Sequence, residues 1–376
     1  MGTNRREWIK QNTLAAIGLG VSFRSLGNEE GLLRNFGIEK GFINLGSNEN
    51  PYGISPASKQ AIADMIVEAN RYQFNVVSLQ NFKSKLAGYY RVDADRLLVT
   101  AGSGEGLILL ARYFNKGNII TANPTFGILP NTAKKIGTEV IEIPLTREKV
   151  HDLPSMLTAV NKNTQLVYIV NPANPSATMI KPAALESFCM EVSRNAAVLV
   201  DEAYIDYLDA PDNKSMIGLI DKCPNLLVIR TFSKIHGMAG LRIGFIAGHP
   251  TLIRKLEQSY FSNTQSCLSN LSMAAALASL GDETHRQNSK QKNAAARQYT
   301  YDELKKLDYV VYPSYTNFAF FQPGKYSGDL SNAMLKKNII VRTNDYDDGK
   351  WCRASIGTME EMQYFISSLK SIVEQS

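Results

Sequence analysis

Short apolar runs that stop abruptly at a polar residue recur between residues 97 and 230. Leu166-Val167-Tyr168-Ile169-Val170 stops at Asn171, Ala197-Val198-Leu199-Val200 at Asp201, and Leu227-Val228-Ile229 at Arg230. Leu97-Leu98-Val99 leads in the same way into a turn of small residues. A run of this kind predicts a parallel strand buried on both faces, with its last side chain delivered at the carboxyl end. Open α/β sheets place their ligands there. Helical periodicity fills the intervals, as in Ala57–Ile66. Past residue 270 the pattern changes. Ser272–Leu280 begins a helical region, Tyr309–Pro313, Phe318–Phe321 and Cys352–Ile356 read as short strands, and Glu360 to Val373 as a closing helix. The chain is therefore expected to be α/β: a large domain over 56–270 around a mostly parallel sheet flanked by helices, then a small α+β domain over 271–376. Residues 29–55 are expected to join the small domain, and residues 1–28 form a separate terminal segment.

The strand ends carry chemistry. An amide at Asn171 to Asn174, a carboxylate at Asp201 and an amine at Lys234 follow three successive runs. Lys234 sits in Arg230-Thr231-Phe232-Ser233-Lys234, with Arg242 eight residues on. A lysine there can form a Schiff base, while Thr231, Ser233 and Arg242 can hold a phosphate; pyridoxal phosphate asks for both. Alone, the segment fits an ordinary nucleotide- or anion-binding loop equally well, and Asp201 alone fits a helix cap or a metal ligand. Thr100-Ala101-Gly102-Ser103-Gly104 before an apolar helix is a further anion-holding device, since the amides around Ser103 and Gly104 lack helical partners. The same residues also suit a plain tight turn.

Asn174-Pro175-Ser176, Asp201-Glu202-Ala203-Tyr204, Ser233-Lys234 and Ala239-Gly240-Leu241-Arg242 resemble, in order and spacing, the motifs of the fold-type-I pyridoxal-phosphate aminotransferases. Asn48-Glu49-Asn50-Pro51-Tyr52-Gly53, Asn70-Arg71-Tyr72 and Arg353-Ala354-Ser355-Ile356-Gly357-Thr358 narrow the resemblance to the histidinol-phosphate aminotransferase branch, from about residue 40 onward. The resemblance implies a seven-stranded sheet in the large domain, pyridoxal 5'-phosphate as cofactor, and transamination between a histidinol-phosphate-like amino donor and 2-oxoglutarate. Aromatic aminotransferases share most of these residues. So does a related decarboxylase of phosphorylated amino acids, such as threonine phosphate, and these alternatives stay open.

Residue by residue, the resemblance implies that Lys234 closes the imine and moves the proton, and that Asp201 faces the pyridine nitrogen and keeps it protonated. Asn174 and Tyr204 would donate to the ring hydroxylate. Ser103, Gly104, Thr231, Ser233 and Arg242 would receive the phosphate, and Phe126 would stack on the ring. Arg353 would pair with the substrate's α-carboxylate through two parallel hydrogen bonds. Tyr52 resembles a substrate-side tyrosine and Arg342 an arginine near the substrate's own phosphate. Tyr72 resembles a tyrosine reaching the neighbouring subunit's phosphate, which implies a homodimer with shared active sites. Two positions depart from the family. Phenylalanine stands at 126 where tyrosine is usual, and Ala177 replaces a glycine that allows close backbone approach, which puts substrate fit near that turn in question.

Composition narrows the rest. A chain of 376 residues with 44 % hydrophobic content can bury a large core. With a mean hydropathy of −0.18 and no run of eighteen apolar residues, no membrane-spanning segment is expected. The formal charge of +6 is dispersed among acids, so no nucleic-acid surface is expected. Cys189, Cys223, Cys267 and Cys352 read as free thiols, and the four ungrouped histidines argue against a metal site. His236 is expected to pack or to bond to backbone. At the amino terminus Arg5-Arg6 precedes the weakly apolar Leu14–Val21, resembling a twin-arginine export signal and implying a periplasmic enzyme. The alternative is an amphipathic arm on a partner subunit of a cytoplasmic one.

Overall fold

The computed structural model of the chain describes residues 41–71, 76–259, 267–324, 326, 328–346 and 348–374. Arg5-Arg6, the apolar segment 14–21 and Tyr72 lie outside the described residues. Residues 1–44 and 45–376 are two compact units. In the first, Ile43–Asn44 is extended as a short strand.

Seven strands form the larger sheet of the second unit: β1 (Leu97–Thr100), β2 (Asn118–Asn123), β3 (Glu139–Pro144), β4 (Thr164–Val170), β5 (Ala197–Asp201), β6 (Leu226–Thr231) and β7 (Gly244–Gly248). Their spatial order is β1-β7-β6-β5-β4-β2-β3. Pairing is parallel from β6 through β3, and β7 runs antiparallel to both of its neighbours. This is the expected seven-stranded, mostly parallel sheet.

Its central strands are apolar on both faces because both faces are covered. Val198 and Val200 enter a core shared with Phe188 and Val192 of the Pro182–Val192 helix and with Ala275 and Ala276 of the Asn270–Gly281 helix. Leu199 enters the opposite core, with Leu107 and Leu110 of the Gly102–Tyr113 helix and Leu256 of the Pro250–Gln258 helix. Successive side chains point to opposite faces, so a strand buried on both sides shows no polar alternation. Truncating one such residue, as in Leu199→Ala, costs about 2–5 kcal/mol. At the edge, β3 alternates exposed Glu139 and Glu142 with partly buried Ile141 and Ile143 and ends at Pro144, a residue an edge strand tolerates.

A second sheet, all antiparallel, holds β8 (Val310–Val311), β9 (Phe318–Gln322), β10 (Arg342–Tyr346) and β11 (Gly349–Ser355) in the order β10-β11-β9-β8. Phe321 meets Phe365 of the Met359–Glu374 helix, ring centres 6.4 Å apart. Phe318, Phe320, Trp351 and Arg353 take the other face. The strand read over Tyr309–Pro313 is shorter, as Pro313 has no N–H to extend the ladder. The helix read at Ala57–Ile66 is α from Pro56 to Met65, with Ser55 capping Ser58 N, and tightens to a 3-10 turn at Ile66–Glu68.

Candidate active site

A cavity of about 180 Å³ opens at the carboxyl ends of β4, β5 and β6. Its walls bring together Ser103, Gly104, Phe126, Asn174, Asp201, Tyr204, Thr231, Ser233, Lys234, Arg242 and Arg353, with Ser47 and Asn48 beside them. Ser47 and Arg353, 306 positions apart in the chain, thus share one space.

Lys234 stands in the turn after β6, closed by Gly237 N–H on its carbonyl at 3.0 Å. Its ammonium lies 3.0 Å from the Asn48 carbonyl and 5.7 Å above the Tyr204 ring. Burial pulls its pKa down to about 8; the Arg353 and Arg242 charges push the same way, while Glu49 and Asp201 oppose. A sizeable fraction of the amine is then neutral near physiological pH, as a nucleophile must be.

Asp201 ends β5 and is 2 % exposed. It accepts from the Tyr168 hydroxyl and from Ala203 N–H, both at 3.1 Å. Both donors are neutral, and among the described residues no cation lies within ion-pair distance of it. Burial accordingly raises its pKa to about 6, against those hydrogen bonds and the more distant Lys234. A buried carboxylate without a cation, aimed into a cavity, suits a protonated heterocyclic nitrogen.

Tyr204, 3 % exposed, accepts from the side-chain amides of Asn48 at 3.0 Å and Asn174 at 3.2 Å. Those two bonds occupy the lone pairs of its oxygen, which leaves its proton to donate elsewhere. Burial first of all holds this hydroxyl in its neutral form, its pKa raised to about 12. Arg353 donates to Asn174 Oδ1 and to the Gly46 carbonyl, each at 2.8 Å, over the Phe318 ring at 5.6 Å. Its Nε is buried with no hydrogen-bond partner.

The anion cup assembles from two segments. The Gly102–Tyr113 helix starts at Ala101 without a side-chain cap, so the first-turn amides around Ser103 and Gly104 call for an acceptor. The Arg242 guanidinium closes over this start so tightly that a Cβ on Gly102, at φ +79°, would strike it. A Cβ on Gly244 would meet Ser103 N at 2.9 Å. Thr231 and Ser233 hydroxyls, 2.9 Å apart, complete the cup, with Arg242 Nη1 at 3.4 Å from Ser233 Oγ. Uncapped amides, two hydroxyls and a guanidinium make a phosphate site. With the lysine and the carboxylate, the donor set fits pyridoxal phosphate.

Some expected residues are not among the walls. Arg342 is exposed on β10, directly across from Arg353, with Nε at 3.4 Å from the Gly46 carbonyl. Cross-strand pairing puts its side chain on the face of Arg353, and the two guanidinium groups reach the same carbonyl. Tyr52 is half-buried with the Lys292 ammonium 5.1 Å above its ring. His236 bonds to the Ser279 hydroxyl at 2.6 Å and leans on Phe232, so its partner is a side chain rather than backbone. Burial keeps it neutral, its pKa lowered to about 3. Ala177 takes φ +62° and is buried in an apolar cluster with Tyr204, Tyr207, Ile235 and Phe318. Among the described residues no cluster of metal-binding side chains occurs and the cysteines are free.

Sequence reasoning assigned no role to Tyr168, Asn48 or Ser355. Asn48 receives the Ser355 hydroxyl on Oδ1 at 3.1 Å and gives its own N–H to Ser355 Oγ at 2.7 Å, which fixes the amide facing Tyr204. Beneath Asp201, Glu202 accepts from Arg230 Nε at 3.0 Å, Ser215 at 2.8 Å and Met216 N at 2.6 Å, a buried pair saturated by its own donors.

The sequence pattern of the family "Aminotransferase class I and II" matches residues 40–369. A histidinol-phosphate aminotransferase of Halalkalibacterium halodurans is 34 % identical over 351 residues, 92 % of this chain and 93 % of that one. Its counterpart in Bacillus subtilis subsp. natto is 35 % identical over 348 residues, 92 % and 95 % of the two chains. The crystal structure of histidinol-phosphate aminotransferase from Sinorhizobium meliloti in complex with pyridoxal-5'-phosphate shares the fold, with a TM-score of 0.81 at 23 % identity over 93 % of this chain and 95 % of that one.

Proposed function

The chain belongs to the class I and II aminotransferases, and from that premise we propose that it transfers the amino group of a histidinol-phosphate-like donor to 2-oxoglutarate with pyridoxal 5'-phosphate. The observation that carries this reading is the convergence of Lys234, Asp201, Tyr204, Arg353 and the Arg242–Ser103 cup on one cavity. Pyridoxal phosphate, when bound, supplies an aldehyde for amines and an electron-withdrawing ring that acidifies the α-carbon. Ser103, Gly104, Thr231, Ser233 and Arg242 hold its phosphate. Asp201 keeps a proton on the nitrogen that faces it, and Tyr204, both lone pairs already engaged, donates its proton to the ring oxygen. Phe126 covers one ring face. Arg353 orients the donor by its carboxylate, for which it must exchange the Asn174 and Gly46 contacts. Lys234 would take the proton from the donor's α-carbon onto its Nζ.

A second reading rests on Arg342. With that side chain exposed on an edge strand and outside the cavity walls, an unphosphorylated aromatic donor fits as well. The test is a single-turnover screen that follows loss of the protein's visible band with histidinol phosphate, phenylalanine, tyrosine and threonine phosphate side by side. Preference for histidinol phosphate supports the first reading, and preference for phenylalanine supports the second. Release of carbon dioxide instead of glutamate formation from 2-oxoglutarate would make the enzyme a decarboxylase. A protein that stays colourless with added pyridoxal phosphate would end all three.

The working unit in this reading is a dimer with Tyr72 contributed across the interface, checked by native mass measurement. Arg5-Arg6 and Leu14–Val21 support export to the periplasm. Cell fractionation that finds all activity in the cytoplasm would refute it.

A further inference from the structure

Outside the cavity, Lys149 is placed where the two segments holding the carboxylate-binding arginine meet. It takes φ +59°, the left-handed region, which is unfavourable for a residue bearing a side chain. Such strain persists where surroundings over-determine a residue, and its neighbours do so here. Its carbonyl accepts the Thr178 hydroxyl at 2.6 Å. Thr178 in turn meets the Ser176 hydroxyl at 2.8 Å, and its carbonyl takes the Ala173 N–H at 2.8 Å. The turn so closed carries Asn174.

At its other end the Lys149 ammonium pairs with the Asp348 carboxylate and lies 4.8 Å above the Trp351 ring, with the side chain only 13 % exposed. Asp348 also accepts from the Trp351 indole N–H at 3.0 Å. Trp351 stacks on Phe320, centres 4.5 Å apart and planes 10° from parallel. Trp351 is two residues before Arg353 on the same face of β11, and Phe320 is the cross-strand partner of Arg353. One lysine thus braces Trp351 and, through the ring stack, Phe320, the cross-strand partner of Arg353. That lysine also fixes the turn whose asparagine accepts from Arg353 Nη1.

We infer that Lys149, through its side chain, is a positioning residue for Arg353, setting how the donor's carboxylate is bound. The inference rests on the carboxylate role proposed for Arg353. The Lys149 ammonium touches neither the cofactor cup nor Lys234, and a side-chain variant keeps the carbonyl that holds the Asn174 turn, so their function stays intact when the ammonium is removed.

The test uses the holoenzyme and an amino donor that the wild type accepts, with the half-reaction followed by the visible band. Lys149→Ala should weaken donor binding about tenfold, short of the roughly hundredfold cost of an ångström's misplacement at a reacting centre. The limiting rate should stay within about twofold, and the band's position and pH titration should not move. Lys149→Arg, which keeps both charge and ring contact, should restore affinity. Lys149→Met, which keeps only length, should not. Asp348→Asn should shift affinity in the same direction while leaving the indole bond in place. Unchanged affinity in Lys149→Ala would overturn the inference, as would full rescue by methionine, which would mean mere packing. A shifted visible band would overturn it too, by showing that the lysine acts on the cofactor. If Arg353→Lys leaves donor affinity untouched, the carboxylate reading itself has failed. If Arg353→Lys weakens binding and Lys149→Ala does not, the failure belongs to this inference alone.

Discussion

Asp201→Asn separates what the acid does for chemistry from what it costs the fold. Burial lifts the Asp201 carboxyl from an ordinary 3.8 to about 6 in the chain alone. At 1.36 kcal/mol per unit that rise is worth roughly 3 kcal/mol. The folded chain holds this proton more tightly than the unfolded one, so the stabilising term is present below pH 3.8 and is lost as pH rises through about 6. Above pH 6 the cofactor-free protein carries a buried anion with neutral donors only. Asparagine removes that anion and keeps the shape. Its oxygen can still accept from Ala203 N–H, and its amide can donate to the Tyr168 oxygen. Cofactor-free Asp201→Asn should therefore melt above the wild type at pH 8 and with it near pH 4. An unfolding entropy of about 2.1 cal/mol/K per residue makes the expected gap about 4 °C for this length of chain. Both proteins must be scanned at one rate, because chains of this size often unfold irreversibly.

Cofactor reverses the order. Taking one partner from a buried pair costs about 3–5 kcal/mol, so pyridoxal phosphate should stabilise the variant far less than the wild type, and turnover should fall at least about a hundredfold. Calorimetry with and without cofactor at pH 4 and pH 8, beside a transamination assay, reads all of these. A variant active within tenfold of wild type would refute the pairing. So would a cofactor-free variant that melts at or below wild type at pH 8.

Replacing Arg353 with lysine removes the two-pronged geometry while keeping the charge; donor affinity should drop by about a hundredfold, consistent with the roughly 2–5 kcal/mol carried by buried charged contacts, as measured by single-turnover titration. Lys234, with its pKa lowered to about 8, must lose a proton before it can attack, so the rate of cofactor uptake by the cofactor-free chain should climb as pH rises through about 8, read by stopped-flow absorbance. A flat profile from pH 6 to 10 would contradict this, and Lys234→Ala should show no band that borohydride can fix. Ala177→Gly should be near neutral in a melt: relief of left-handed strain, roughly 1–2 kcal/mol, is offset by the loss of a buried methyl at about 0.8 kcal/mol and by the added freedom of glycine.

The sheet was legible where it is covered on both sides and illegible at its margins. β4, β5 and β6 read as unbroken apolar runs because helices take both faces, and their ends pointed to the site. β3 and β10 are edges, and Glu139 or Arg342-Thr343-Asn344-Asp345 look like loop until a neighbour supplies the ladder. The same divide runs through the site. Asp201, Lys234 and Arg242 belong to local motifs, each recognisable within a few residues. Asn48 acts through Tyr204, 156 positions away, and through Ser355, 307 away, and no local pattern records such a contact. A motif also names a residue without giving its direction. Arg342 is the cross-strand partner of Arg353 and reaches the same Gly46 carbonyl, yet it stays exposed and outside the cavity walls.

The two departures from the family can be weighed by which atoms carry restraint. Neither Phe126 nor Ala177 contributes a polar side-chain atom to the cavity. Tyr204, the donor proposed for the ring oxygen, has its geometry set by two amides, each tied elsewhere: Asn48 to Ser355 and Asn174 to Arg353. A phenylalanine at 126 keeps the flat face that stacking uses and gives up only a hydroxyl that could have reached substrate. At 177 the added methyl is buried in the apolar cluster that holds Tyr204 and Phe318, and Ala177 does not line the cavity. Tyr315 N–H still reaches the Ala177 carbonyl at 2.8 Å, so the turn that presents Asn174 is pinned from the far side as well. Both exchanges fall on apolar surfaces around a polar frame that is intact. The consequence is asymmetric: cofactor chemistry is insulated from these two positions, and any change they bring lies in which donor side chain the cavity admits.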